Sequence, residues 1–254
     1  MIPKIIHQTW KDETVPAKWK AAVDQCKAKH PDFEYKLWTD ETMDDFVREH
    51  YPEFHAVYVS YNHHIQRCDA FRYLVLYTYG GVYIDMDIKC IKNLKKYLQY
   101  DVVLVRSSNI ESSFTNSFFM TVPNHPFFKY CIDHLAENKD KFQYFGKHMH
   151  VMSSTGPNYV TNMVKNYGDI SNSYVLTKEE FAGDCTSCNE TTCKGGEYFK
   201  HIKGDSWHEV DSAIYNILLC NKNKIVLCSA AVVALYLLIL AKERRFKLPK
   251  KWRF

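Results

Sequence analysis

The segment from His63 to Asp87 most narrows what this chain can fold into. Ile65, Ala70, Tyr73, Leu74 and Tyr77 recur at helical spacing from His63 to Tyr79, and Gly80-Gly81 stops the run. Val82-Tyr83-Ile84 follows at once as an apolar strand and runs straight into Asp85-Met86-Asp87. The rest of the chain repeats this alternation. Strands are expected at Ile2–Gln8, Tyr35–Trp38, Val102–Val105 and Phe118–Val122. Helices are expected at Ala17–Lys29, from Thr39 or Asp40 to His50, and at Pro126–Asn138 and Pro157–Tyr167. Such alternation predicts an α/β sandwich with a mostly parallel central sheet.

With 254 residues, 46% of them hydrophobic and 24% charged, the chain can bury a sizeable core, which excludes wholesale disorder. One domain is expected over residues 1–220. The net charge of +4 is unevenly spread: Ala241 to Phe254 hold seven Lys or Arg and one acid. The remaining body is slightly acidic, which argues against a nucleic-acid partner and for a tail (242–254) that meets anionic lipid. Ile225 to Leu240 is a sixteen-residue run without a charge. As a helix it spans roughly 24 Å, short of a hydrocarbon core of roughly 30 Å, but flanking lysines and arginines can snorkel. A membrane-spanning or membrane-associated helix is therefore expected at 225–241, with a buried core helix as the alternative and the side of the membrane left open. Cys185, Cys188 and Cys193 form a cysteine-rich loop (183–196) that also carries the sequon Asn189-Glu190-Thr191. Loop and sequon together favour a lumenal body, in the Golgi or endoplasmic reticulum.

Asp85 and Asp87 carry the chemistry of this reading. In a strand residues i and i+2 face one side, so Asp85 and Asp87 are expected to present both carboxylates together at a strand's carboxyl end, where open sheets bind ligands. Two adjacent carboxylates repel unless a proton or cation lies between them. Carboxylate oxygens suit Mn2+ or Mg2+, and two of them leave room for a substrate diphosphate. On the preceding helix Asp69 and Arg72 stand three residues apart and so share a face. On so apolar a helix they are expected to point into a site and hydrogen-bond a hydroxyl-rich substrate.

Taken whole, Arg67 to Asp87 (RCDAFRYLVLYTYGGVYIDMD) resembles the signature of the DXD glycosyltransferases of family 32, and Ile2 to Trp10 resembles that family's first strand. Pro123–Phe127, Ser154–Pro157 and Gly204–His208 resemble the inositol phosphoceramide mannosyltransferase subgroup. The resemblance covers Ile2 to about Ile217. It implies a GT-A type nucleotide-sugar-binding fold, a Mn2+ (or Mg2+) cofactor, and transfer with retention at the anomeric carbon. A nucleotide-sugar donor is implied, GDP-mannose favoured, with a lipid acceptor of the inositol phosphoceramide type. A protein-linked glycan or polysaccharide acceptor, and a sugar-binding module without turnover, stand as alternatives. Carried over residue by residue, Asp85 and Asp87 bind metal and donor, Asp69 and Arg72 hold the donor sugar, and Tyr83 flanks the site. In the loop that closes over the diphosphate, His201 is the third metal ligand with His208 as its rival, and Lys203, Ser206 and Trp207 contact the donor.

Overall fold

A computed structural model describes residues 1–106, 113–177, 179–182, 195–202, 207, 209–221, 223–224, 226–229, 233 and 236. In chain order the elements are β1 (Ile5–Thr9), α1 (Ala17–Lys29), β2 (Glu34–Trp38), α2 (Asp40–His50), α3 (Pro52–Val59), α4 (His64–Tyr79), β3 (Gly81–Ile84) and β4 (Ile88–Cys90). They continue with β5 (Val102–Arg106), β6 (Phe114–Thr121), α5 (Pro126–Asp133), α6 (Leu135–Asn138), α7 (Gly146–Ser154), α8 (Pro157–Tyr167), β7 (Ser173–Leu176), β8 (Phe181–Ala182), β9 (Phe199–His201) and α9 (Val210–Cys220).

Six strands form the central sheet in the order β2-β1-β3-β6-β5-β7, and β4, β9 and β8 form a small second sheet. In the central sheet β1 runs parallel to β2 and β3, and β5 parallel to β7, while β6 is antiparallel to both of its neighbours. The sheet is thus mixed but mostly parallel, as expected. Its inner strands β1, β3, β5 and β6 are largely buried on both faces, so successive residues feed opposite cores. Tyr83, Val102, Leu104 and Phe119 join the core under α4, α5 and α8. Val82, Ile84, Val103, Val105, Phe118 and Met120 join the core on the side of α1 and the small sheet.

The turn from α4 into β3 admits only glycine. Gly80 and Gly81 have φ of 63° and 94°, and a Cβ on Gly81 would lie 2.7 Å from the Ile5 carbonyl oxygen. His7 braces this turn. Its Nε2–H donates to the Gly80 carbonyl (3.0 Å), and its Nδ1 accepts from Trp38 Nε1 (3.1 Å). Burial drives the His7 pKa down to about 4, so the ring is neutral in the fold. The unfolded chain takes up this proton below about 6.5. His7 therefore contributes full stability above that pH and progressively less as the pH falls toward 4, about 3 kcal/mol at most. Denaturant unfolding at pH 7 and pH 5 should show this loss, and His7→Gln should flatten it.

A disulfide joins Cys26 at the end of α1 to Cys90 in β4. Nothing in the spacing of these two cysteines announces the pairing, because they meet only after β4 folds back beneath α1. The bond fixes β4 against α1 immediately after the Asp85–Asp87 turn. Replacing Cys26 and Cys90 together by serine should cost about 2–4 kcal/mol in denaturant unfolding.

Two expectations change. The helix expected at Pro126–Asn138 is broken at His134 into α5 and α6. The apolar C-terminal helix is not found as such: α9 ends at Cys220, most of 225–241 lies outside the described residues, and no described helix is long and apolar enough to cross a membrane. The basic tail and the cluster Cys185, Cys188 and Cys193 also lie outside the described residues.

Candidate active site

The site lies where α4, the end of β3, the start of β6, the end of α7 and β9 converge. Asp69 and Arg72 are neighbours on α4, joined by an ion pair of 2.8 Å, and both are buried. Isolated, either charge would be costly there; the surrounding hydrogen bonds make the pair tolerable. Asn116 Nδ2 donates to Asp69 Oδ1 (3.0 Å) and Thr155 Oγ1 donates to Asp69 Oδ2 (3.1 Å). Arg72 Nη1 donates to the Asn116 carbonyl, its guanidinium lies 4.6 Å from the Tyr83 ring centroid, and it reaches Asp85 Oδ1 at 3.5 Å. The Tyr83 hydroxyl pairs with Thr9 Oγ1 at 3.1 Å.

The sequence argument places Asp69 and Arg72 on one face, and they are. It places them toward substrate, whereas both Asp69 oxygens are occupied by protein groups. Asp69 serves as the anchor of Arg72, and Arg72 passes that order on to Asp85. Burial also raises the pKa of Asp69, and the Arg72 charge opposes this.

Asp85 and Asp87 meet by a different route from the one expected. β3 ends at Ile84, and Asp85-Met86-Asp87 is a turn closed by the Ile88 N–H on the Asp85 carbonyl (3.1 Å). Strand alternation does not bring the carboxylates together. The turn and the antiparallel β4–β9 pairing hold them, with Ile88 opposite His201 and the Ile202 N–H on the Asp87 carbonyl (2.6 Å). This puts His201 Nε2 at 3.3 Å from Asp87 Oδ2. Burial pushes the Asp85 carboxyl up to about 7; Arg72 opposes the shift and Asp87 adds to it. The Asp85 side chain nevertheless keeps 31% of its surface exposed, so a ligand can reach it.

Among the described residues no three His, Cys, Asp or Glu side chains are grouped so as to hold a metal ion unaided. The donor set still fits a divalent cation shared with a substrate. Asp87 Oδ1 is buried without a hydrogen-bond partner, and Asp85, Asp87 and His201 supply oxygen and imidazole donors of the right kind. Trp207 stacks on His148 at 5.5 Å between ring centroids. Lys203, Ser206 and His208 lie outside the described residues.

Asn116 and Thr155 were not singled out from the sequence. The signal for Asn116 is the polar trio Thr115-Asn116-Ser117 inside an otherwise apolar strand. It reads as a loop, which sets the expected start of the strand at Phe118. Thr115 and Asn116 are in fact buried, and the Ser117 carbonyl accepts the Asp85 N–H at 2.9 Å. Thr155 belongs to a segment quoted for its resemblance, with no role attached to it.

The layered fold and this site define a glycosyltransferase. The family model described as "Glycosyltransferase sugar-binding region containing DXD motif" matches residues 16–110. The chain is 34% identical over 253 residues to inositol phosphoceramide mannosyltransferase 1 of Schizosaccharomyces pombe, covering 98% of this chain and 76% of that protein. It is 36% identical over 228 residues to a mannosyl phosphorylinositol ceramide synthase of Saccharomyces cerevisiae, covering 90% of this chain and 58% of that one. The chain therefore belongs to the family of DXD glycosyltransferases that contains these proteins, and it spans about three quarters of the first relative and three fifths of the second. Among solved structures the PaToxG glycosyltransferase superposes with a TM-score of 0.51 at 21% identity, covering 65% of this chain and 70% of that one, a likeness of fold of the GT-A kind.

Proposed function

We propose that this chain transfers a hexose, mannose from GDP-mannose in the favoured reading, to an inositol phosphoceramide-type lipid, with retention at the anomeric carbon. The observation that carries the reading is the continuous polar relay Asp69–Arg72–Asp85 beside Asp87–His201, buried at its inner end and open at its outer end. Such a relay suits a sugar diphosphate, whose leaving group gains charge as the glycosidic bond breaks. Asp85, Asp87 and His201 would hold Mn2+ (or Mg2+), which supplies Lewis-acid stabilisation of the departing diphosphate. Arg72, fixed by Asp69 and by Tyr83 beneath it, orients the Asp85 carboxylate and adds positive charge at the site's inner wall. Trp207 and His148 form a stacked aromatic pair, and Lys203, Ser206 and Trp207 are assigned to the donor by resemblance. A front-face route, in which the leaving phosphate helps deprotonate the acceptor hydroxyl, requires no covalent nucleophile.

The Cys26–Cys90 disulfide supports a body in an oxidising compartment, in keeping with an endomembrane location. Membrane association through residues 225–241 and the basic tail belongs to the same proposal. Incubation with GDP-mannose, UDP-glucose and UDP-galactose in Mn2+ tests the donor. Consumption of GDP-mannose alone, with label passing to extracted inositol phosphoceramide, is expected. Consumption of none would overturn the transferase reading in favour of a sugar-binding module. Transfer to glycan but not to lipid would overturn the acceptor.

A further inference from the structure

Helix α9 is built inside out. Its polar residues Asp211 and Ser212 turn toward the body: Asp211 Oδ2 accepts the His148 N–H (2.6 Å), and Ser212 Oγ pairs with His148 Nδ1 (3.0 Å). Its apolar residues Ile214, Ile217, Leu218 and Leu219 are exposed. No other charge stands on the helix. Beside it, between α6 and α7, the short turn at Gln143–Phe145 presents aromatics outward, with Tyr144 90% and Phe145 70% exposed. Phe142, half-exposed, packs edge-on to Phe145 at 5.5 Å. Between turn and helix lies a mostly apolar notch of about 260 Å³ lined by Phe145, Met149, Ile214, Tyr215 and Leu218, with His148 and Asp211 also on its wall.

A contiguous exposed patch of this kind marks a surface that meets something apolar. The chain itself indicates what. Beyond α9 the described residues Val226, Leu227, Val233 and Tyr236 are exposed as well. They belong to the sixteen-residue uncharged run that ends in seven Lys or Arg within fourteen residues. Aromatics at a turn, an outward apolar helix face and a following basic cluster are the three elements by which a protein seats itself in the interface of an anionic bilayer.

We propose that the Phe142–Phe145 turn and the outer face of α9 form a membrane-docking face that rests on an anionic lipid bilayer. The face is tied to the site through α7: His148 near its start engages Asp211 and Ser212 and stacks on Trp207, and Thr155 at its end donates to Asp69. Seated in this way, the body brings the His148–Trp207 wall close to the headgroups, where a glycolipid acceptor presents its hydroxyls. The inference deepens the lipid-acceptor reading and rests on it for this last step; the docking itself requires no turnover.

The test places the photoreactive residue p-benzoylphenylalanine at Tyr144 in the full chain, with Lys20 on α1 as an exposed control. The protein is bound to vesicles of phosphatidylcholine and phosphatidylinositol carrying a radiolabelled acyl chain, then irradiated. Label on the protein at position 144, about tenfold above that at Lys20, is expected. Adding Phe145→Glu and Ile214→Glu should return the label to the control level while donor hydrolysis in detergent stays unchanged. A covalent dimer of the chain, an internal crosslink to residues 221–254, or label no higher than the control would each overturn the proposal. Failed labelling with donor hydrolysis intact sinks the docking face alone. Labelling without any donor consumption sinks the transferase reading alone.

Discussion

Asp87→Asn protein is expected to fold like the parent and to transfer sugar at a rate lower by about a hundredfold to a thousandfold, the scale seen when one charge-stabilising group is removed from a transition state. The reasoning rests on two atoms. Asp87 Oδ1 is buried and makes no hydrogen bond, and Asp87 Oδ2 meets only His201 among the contacts described above. A negative charge is being held where the fold makes little use of it. Its removal also relieves the charge that helps push Asp85 upward. Stability should therefore change by no more than about 1 kcal/mol. Steady-state kinetics with GDP-mannose, together with thermal unfolding, read both quantities. Turnover within tenfold of the parent would remove Asp87 from the reaction.

Arg72→Met should lose stability as well as activity. The guanidinium is the partner of Asp69 at 2.8 Å and of the Asn116 carbonyl. Without it Asp69 remains as a buried, uncompensated carboxylate, and loss of one member of such a pair costs about 3–5 kcal/mol. Activity falls as well, because Asp85 loses its orienting contact. The double variant Asp69→Asn with Arg72→Met removes both charges and should recover much of the stability but none of the turnover. If the single variant unfolds at the same denaturant concentration as the parent, the ion pair is not the anchor described here.

The sequence made the helices legible where helical spacing is bounded by proline or glycine. Ala17–Lys29 and Pro157–Tyr167 are found with the expected bounds, and the turn at Gly80-Gly81 falls where two glycines demand it. The pairing of Asp69 with Arg72 was also readable, since three-residue spacing on a helix fixes a shared face. What stayed hidden depends on contacts between distant segments. The four-residue extension of β6 is disguised by Thr115-Asn116-Ser117, of which Asn116 turns its amide to Asp69 while the Thr115 and Ser117 hydroxyls pair with each other at 3.0 Å. The strand argument for Asp85 and Asp87 reached the right neighbours through the wrong geometry, because β3 stops one residue before them. Nothing local announces that β9 will lie antiparallel to β4 and deliver His201. The disulfide partners Cys26 and Cys90 stand 64 residues apart for the same reason.

The convergence of α4, the Asp85–Asp87 turn, β6, Thr155 and β9 has a consequence for how the protein is made. A nascent chain released as far as β4 carries the signature residues but neither Asn116 nor Thr155 to satisfy Asp69, and no His201 beside Asp87. Until Thr155 has emerged the Asp69 charge must stay hydrated, so the helix bearing Asp69 and Arg72 cannot dock finally onto the sheet, and Asp87 waits longer still for β9. Maturation of the catalytic pocket is thus tied to translation past β9, and products terminated before it should present as protease-sensitive species rather than as weak enzymes.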